Sequence, residues 1–216
     1  LLKPLTRAQQ KLLLLMGQPE EFTPQQIAFV YGGDCEKDIK QLLEYNAFII
    51  PLANGKLRCH HMLKQATRHA FALLPEAEQR QAFCQFGKWY VQQKDYEEAL
   101  DCLYRGRDFA GLLTAVQELC DWSMRAEHKA HLFDWLNDCP KDILCQYPQA
   151  VLILMRRMFS LNMIKEMLKV KGWYITALEQ NTYLTIEERN NYYGELEIIL
   201  SFLAFNSITR MSEHHR

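Results

Sequence analysis

The sequence lacks any apolar run close to the roughly 20 residues that a membrane-spanning helix needs. Its longest apolar runs, Leu12 to Met16 and Val151 to Met155, are far shorter than this. No basic stretch followed by an apolar one opens the chain, so the pattern of an export leader is absent. We therefore expect a cytoplasmic protein that does not engage a membrane.

Motifs of catalysis are also lacking. The sequence has no G-x-x-x-x-G-K-[ST] phosphate loop, no G-x-S-x-G and no H-E-x-x-H. The carboxylate pairs Glu97-Glu98 and Glu187-Glu188 lie in charged helical context, where solvated faces explain them. We expect no enzyme activity and no cofactor bound by this chain itself.

The seven cysteines are odd in number and form no C-x-x-C pair, which is typical of reduced cytosolic thiols. Cys120, His128, His131 and Cys139 are a conceivable zinc set, because His128 and His131 share a helix face. Their spacing matches no recognised zinc motif. Buried cysteines are common in helical cores, and we favour that interpretation over a metal site.

The sequence also lacks a large excess of positive or negative charge. The formal net charge is −1, with 9 Lys/Arg against 6 Asp/Glu in residues 1–74 and 16 against 20 in the rest. Neither part has the strong positive charge of a polyanion-binding domain. Hydrophobic residues make up 49% of the chain, which is enough for a buried core.

The first 74 residues carry signals for three short helices. Thr6 can cap a helix that ends before Gly17, Thr23-Pro24 places a capping hydroxyl before a proline, and Asp34 can cap a third helix that ends near Asn46.

A hairpin follows these helices. Ala47 to Leu52 is rich in residues that favour strands, Asn54-Gly55 is a two-residue turn signal, and Lys56 to Cys59 can return as the second strand. Three helices and a hairpin predict a winged-helix unit over residues 1–74.

From His60 onward the sequence predicts helices with short polar connectors. The clearest helical hairpin is QAFCQFGKWYVQQKDYEEALDCLYRGRD, in which Gly87 and Ala99 are small enough for two helices to approach closely. The residues at tetratricopeptide spacing are Phe83, Phe86, Gly87, Tyr90, Ala99, Leu103 and Gly106. Further helices are predicted over residues 108–122, 128–137, 148–160, 162–180 and 186–204. The fold class is therefore mainly α, a winged-helix unit with one β-hairpin followed by a tetratricopeptide-like superhelix over residues 75–216.

Several strings in this order resemble the large ATP-binding LuxR-type transcription regulators, the maltose-regulon-activator-like group of the signal-transduction ATPase class. The strings are LLEYNAFIIPL, CHHMLKQ, GKWYVQQKDYEEALDCLYRGRDF, LFDWLNDCPKDILCQYPQAVLILMRRMF and SITRMSEHHR. The resemblance implies an upstream ATPase domain that binds ATP or ADP and a downstream LuxR-type DNA-binding domain. The chain, which begins at Leu1, is expected to be the central fragment between them.

The resemblance gives His60 a role. In this ATPase class a Met-His-Asp string after the wing touches the β-phosphate of the nucleotide, and Cys59-His60-His61 occupies the matching place. Here Cys59 replaces the Met and His61 the Asp. His60 is thus a candidate phosphate contact on the absent ATPase domain. The alternative is that His60 only caps the following helix or packs under the wing.

The expected recognition helix of the winged helix is acidic. Asp34, Glu36, Asp38 and Glu44 outnumber Lys37 and Lys40, which leaves it with a net charge of −2. Because Lys and Arg supply most non-specific DNA affinity, this surface should repel DNA. We expect no direct contact with nucleic acid.

A superhelix presents a concave surface that commonly binds ligands. Aromatic side chains suited to stacking on a small-molecule inducer are Trp122, Trp135, Trp173, Tyr192 and Tyr193. A protein effector is the other partner that such a surface accepts.

Two functions follow. The first is a regulatory, signal-sensing segment of a bacterial transcription activator that relays inducer or partner binding to the flanking domains. The second is a tetratricopeptide-type protein-interaction scaffold without a nucleotide-linked switch.

Overall fold

The computed structural model of the chain describes residues 5–45, 48–119 and 124–204. These residues form twelve α-helices and a single two-stranded antiparallel sheet, so the predicted fold class is confirmed. Contacts divide the described residues into two compact units. The first extends to Asp95 and adds Asp101–Arg107, and the second takes Tyr96–Leu100 and the chain from Asp108 onward. None of the described helices is long and apolar enough to cross a membrane.

The helices and strands of the first unit are α1 (Arg7–Met16), α2 (Pro24–Tyr31), α3 (Glu36–Tyr45), β1 (Ile49–Pro51), β2 (Leu57–Cys59), α4 (His61–Ala72), α5 (Glu76–Gln92) and the last part of α6 (Tyr96–Arg105). Both predicted threonine caps are present. Thr6 forms a reciprocal capping box with Gln9, and the Thr23 hydroxyl accepts a hydrogen bond from the backbone of Gln26. Local capping chemistry therefore sets where α1 and α2 begin.

The wing is a β-hairpin in the predicted part of the chain, and Phe22 forms an additional backbone pairing with it. Ile49 pairs with Cys59 and Pro51 with Leu57, and Gly55 lies in the turn with a φ of 78°. Phe22, between α1 and α2, forms an isolated bridge to Leu57 through two backbone hydrogen bonds of 2.9 and 2.8 Å. The bridge ties the wing to the helices, and the sequence patterns did not predict it.

Helix α4 is held tightly against the end of α1. A Cβ atom on Gly17 would lie 1.8 Å from the Thr67 hydroxyl, so only glycine fits at this point. The Arg68 guanidinium donates hydrogen bonds to the carbonyls of Gly17 and Gln18 at 3.1 and 2.8 Å. Glu20 pairs with Lys64 and Arg68, and its pKa is lowered chiefly by the hydrogen bond from Lys64.

The core of the first unit is continuous from α1 to α5. It contains Leu12 and Ile27 at 0% exposure and reaches Phe86 at 1%. Two aromatic contacts connect this core to α5. The ring centroids of Phe29 and Trp89 lie 5.4 Å apart, and those of Phe71 and Phe83 also lie 5.4 Å apart. We call the helices after residue 74 the helical array. The winged helix and the start of this array thus share one core. The predicted domain boundary between residues 74 and 75 stays a prediction.

Close approach in the predicted α5–α6 hairpin depends on glycine. A Cβ atom on Gly87 would lie 2.6 Å from the Leu103 side chain, and one on Gly106 would lie 2.7 Å from the Cys84 backbone nitrogen. The structure therefore confirms the need for a small residue at Gly87. Phe83 and Phe86 of the same hairpin are buried.

Three helix connections share one backbone geometry. Lys94, Arg107 and Asn162 all have positive φ, at 58°, 59° and 58°, directly before the residue that precedes the next helix. Those next residues, Asp95, Asp108 and Met163, have φ near −90° and ψ between 53° and 73°. The same backbone turn, which we call a corner, therefore connects helices at three places in the chain.

The second unit contains α7 (Phe109–Glu118), a 3-10 turn (Ala126–Ala130), α8 (Leu132–Asp138), α9 (Lys141–Leu144), α10 (Pro148–Ser160), α11 (Ile164–Gln180), α12 (Ile186–Ser201) and a 3-10 turn (Phe202–Ala204), besides the first part of α6. The helix predicted over 128–137 is broken at His131, and α9 was not predicted. Met155, Met158 and Met167 are fully buried, so these methionines are core.

We predict that Gly87→Ala lowers the free energy of unfolding by about 1–3 kcal/mol, because the added methyl group overlaps Leu103. Gly172→Ala in α11 is the matched control, since nothing lies within 4 Å of its Cβ position. It should stabilise the protein by up to about 1 kcal/mol, from helix propensity alone. Urea unfolding monitored by circular dichroism measures the free energy of unfolding of both variants. Equal effects of the two substitutions would contradict the close approach of α5 and α6.

Candidate functional site

His60 lies at the junction between the wing and α4. Its backbone N–H donates to the Phe48 carbonyl at 2.7 Å, and its own carbonyl accepts from the Lys64 N–H at 2.9 Å. Its ring Nδ1 accepts a hydrogen bond from the Met62 N–H at 3.4 Å, which caps α4. The helix-capping interpretation is therefore confirmed, and the contact with nucleotide stays a prediction.

The cap uses Nδ1 of the His60 ring and leaves Nε2 for a different hydrogen bond. A neutral imidazole that accepts at Nδ1 carries its proton on Nε2, which is then a hydrogen-bond donor. The ring is half-buried and lies 5.9 Å from the Phe48 ring and 4.3 Å from the His61 ring. Capping and donation to an external acceptor are thus compatible at His60.

Exposed apolar residues lie near His60 in the chain and in the wing. Phe48 is 50% exposed and Met62 is 61% exposed. Ile50, two residues after Phe48 in the chain, is also exposed, whereas Ile49 between them is buried. We call Phe48, Ile50, His60, His61 and Met62 the wing patch.

Helix α3 presents acidic side chains, as the sequence indicated. Glu36 and Glu44 are exposed, and Asp38 is partly exposed. Lys40, one of the two lysines on this helix, lies 4.0 Å from the Glu44 carboxylate. Part of the basic charge is therefore neutralised within the helix, which leaves little to attract a phosphate backbone.

The comparisons with known proteins bear on this part of the chain. Residues 1–83 match the family model of the MalT winged helix domain. The match covers the three helices, the wing and α4, and it ends inside α5. It relates this segment to MalT-like transcription activators. The comparisons with curated proteins and with solved structures gave no match.

The five aromatic residues predicted to bind a ligand lie in different environments. Trp135 is 1% exposed and is therefore part of the core, not of a surface. Trp173, Tyr192 and Tyr193 are partly exposed, and Trp122 lies outside the described residues. Ligand binding by these side chains stays a prediction.

Trp173 contacts a cation and a second aromatic ring. The Lys141 ammonium lies 3.9 Å from its centroid, and the Phe133 ring lies 5.6 Å away. On α12, burial is the main cause that raises the pKa of Tyr192, with smaller contributions from Glu188 and Glu195. The Tyr192 hydroxyl thus remains a protonated, neutral donor at physiological pH.

The described members of the hypothetical zinc set are not placed to bind a metal ion together. His128 Nε2 lies 2.8 Å from the Glu97 carboxylate, His131 is exposed, and Cys120 lies outside the described residues. Cys139 is buried, and burial raises the pKa of its thiol to about 12. Within 5–45, 48–119 and 124–204, no group of three or more His, Cys, Asp or Glu is placed to hold a metal ion.

Glu97 corrects the interpretation of the carboxylate pairs as solvated charges. Its side chain is only 13% exposed, and that of its partner His128 is 15% exposed. The Arg125 backbone N–H donates to the same carboxylate at 3.0 Å, while the Arg125 guanidinium binds Glu98 at 2.8 Å. Glu97 therefore joins the beginning of α6 to the turn before α8, which helical spacing alone does not reveal.

We expect Glu97→Gln to lower the free energy of unfolding by roughly 1–3 kcal/mol, because it removes charge-assisted hydrogen bonds at a poorly exposed site. Glu98→Gln is the control. Its side chain is 45% exposed, so its ion pair is worth at most about 1 kcal/mol. Chemical unfolding of the two variants tests the difference, and a Glu98 effect equal to that of Glu97 would contradict the structural role of Glu97.

Proposed function

We propose that the chain is a regulatory and signal-sensing segment of a bacterial transcription activator. It relays the binding of a small-molecule inducer or a protein effector to an upstream ATPase domain and a downstream LuxR-type DNA-binding domain. The observation that carries the proposal is the match of residues 1–83 to the MalT winged helix domain. ATP or ADP binds the ATPase domain of the parent protein, not this segment.

The charge of α3 supports a role as an arm between domains. A winged helix that reads DNA places a basic helix against the phosphate backbone. Here Glu36 and Glu44 are exposed on that helix, and Lys40 lies within ion-pair distance of Glu44. The promoter is therefore recognised by another domain, and the winged helix transmits conformational change.

The helical array supports a role in sensing. The corners at Lys94, Arg107 and Asn162 repeat, and the close contact at Gly87 is of the kind that tetratricopeptide-like hairpins use. Stacks of such hairpins form extended binding surfaces. Trp173, Tyr192 and Tyr193, which are partly exposed, are the aromatic side chains suited to contact an inducer.

His60 connects the segment to the nucleotide state of the ATPase. Nδ1 of the ring is used to cap α4, so Nε2 can donate to the β-phosphate of ADP on the neighbouring domain. This contact favours the closed, ADP-bound state. A ligand on the array that stabilises a different state then releases the contact, because only differential affinity shifts such an equilibrium.

The test is the rate of ADP release from the full-length protein with His60→Asn. Asparagine caps a helix well, so this change keeps the cap and removes only the ring. ADP release should become about tenfold faster or more, as expected for the loss of a hydrogen bond to a charged group. His61→Asn is the neighbouring control and should release ADP at the rate of the unchanged protein. An unchanged rate in the His60 variant would remove the phosphate contact.

A protein-interaction scaffold without nucleotide switching is the second candidate, favoured by the repeated corners of the array. The two candidates differ in what surrounds the segment. The complete reading frame should encode an ATPase domain before it and a LuxR-type domain after it. A reading frame with neither domain contradicts the activator proposal and leaves the scaffold.

A further inference from the structure

The turn of the wing contains Asn54-Gly55, and this is the only place in the sequence where glycine follows asparagine. Asparagine is one of the chemically labile residues of proteins. A following glycine favours loss of the side-chain amide, because glycine has no Cβ atom to obstruct an attack by its backbone nitrogen. Both residues are exposed, and no described atom outside its chain neighbours lies within 4 Å of the Cβ position on Gly55. The wing turn therefore has room for this reaction.

The Asn54 side chain is folded back onto the turn. Its Oδ1 accepts a hydrogen bond from the Lys56 backbone N–H at 3.0 Å, two residues further along the chain. An asparagine side chain with this hydrogen bond mimics a backbone turn and lies over the peptide bond that follows it. The side-chain carbonyl carbon is thus held beside the Gly55 peptide, whose nitrogen is the atom that attacks it.

Two hydrogen bonds must break before the reaction proceeds. The Asn54 Nδ2 donates to the Glu21 carboxylate at 3.2 Å, and the Gly55 N–H donates to the Leu52 carbonyl at 3.1 Å. Asn54 and Gly55 are exposed, and exposed hydrogen bonds open locally at low cost in free energy. Glu21 belongs to the segment before α2, so its restraint on the amide comes from outside the turn.

We propose that Asn54 is a site of deamidation and that Glu21 slows the reaction. The Gly55 nitrogen loses its proton to water or hydroxide, bonds to the side-chain carbonyl carbon of Asn54 and expels ammonia, which gives a cyclic succinimide. One water molecule then opens the ring. Attack on the former side-chain carbonyl gives aspartate, and attack on the backbone carbonyl gives isoaspartate, in which the chain runs through Cβ. The proposal does not rest on the nucleotide contact of His60.

The product reverses the contact with Glu21. An amide that donates to the Glu21 carboxylate becomes a second carboxylate, and like charges at hydrogen-bond distance repel each other. The Lys56 ammonium, 4.0 Å from the Glu21 carboxylate, offsets part of this repulsion. Isoaspartate also adds a backbone carbon between Leu52 and Lys56, which pair across the turn. Deamidation therefore loosens the turn and its connection to the Phe22–Leu57 bridge, which begins directly after Glu21.

The reaction is measured by peptide mapping of the 216-residue chain after incubation at mildly alkaline pH, which speeds loss of the Gly55 amide proton. Mass spectrometry gives the fraction of each asparagine that has become an acid, and hydroxylamine cleaves the chain at a succinimide. Asn54 should convert before Asn137, Asn162 and Asn181, with isoaspartate among its products. Earlier conversion of another asparagine, or no conversion at Asn54, would overturn the proposal.

Glu21→Ala tests the restraint on the amide. Loss of one exposed hydrogen bond should speed the conversion of Asn54 about two- to tenfold. Glu78→Ala is the matched control and should leave the rate unchanged, because Glu78 is an exposed carboxylate on α5, outside the wing. Asn54→Gln should abolish conversion at this position, because the longer side chain requires a larger ring that forms far more slowly. An unchanged rate in the Glu21 variant, or an equal increase in the Glu78 variant, would overturn the role of Glu21.

Discussion

The packing of α5 against the winged helix is the constraint on which the first unit depends. Phe83 and Phe86 of α5 are buried, and the contacts Phe29–Trp89 and Phe71–Phe83 join α5 to α2 and α4. Burying a large aromatic side chain stabilises a fold by several kcal/mol, which is a large share of the stability of a small domain. The winged helix therefore has a continuous core with the first helix of the array.

This shared core gives the proposed relay a mechanical basis. Helix α4 has twelve residues, so it is about 18 Å long. His60 caps one end beside the wing, and Phe71 contacts α5 near the other end. Gly17 and Arg68 fix the helix against α1 between these points. A displacement at the wing patch thus reaches α5 through a rigid helix, because close-packed elements move as bodies.

Sequence patterns predicted what is encoded locally and missed what depends on distant partners. Thr6 and Thr23 act through hydrogen bonds within a few residues, so their caps were predicted correctly. The turn lies at Asn54-Gly55 as predicted, but it is wider than two residues, because the Leu52 N–H donates to the Lys56 carbonyl and three residues lie between them. The Phe22–Leu57 bridge joins residues 35 positions apart, and the partly buried Glu97–His128 pair joins residues 31 positions apart. Helical spacing also cannot tell a buried Trp135 from an exposed one in a unit where helices are covered on several sides.

The central claim is that the winged helix and α5 unfold as one body, and native-state hydrogen exchange of the 216-residue chain with Phe86→Ala tests it most directly. Phe86 is 1% exposed, so its truncation should cost about 3–5 kcal/mol. We expect the opening free energy of the slowest amides to fall by the same amount in α1, α2 and α5. Loss of protection confined to α5, with α1 and α2 unchanged, would contradict it.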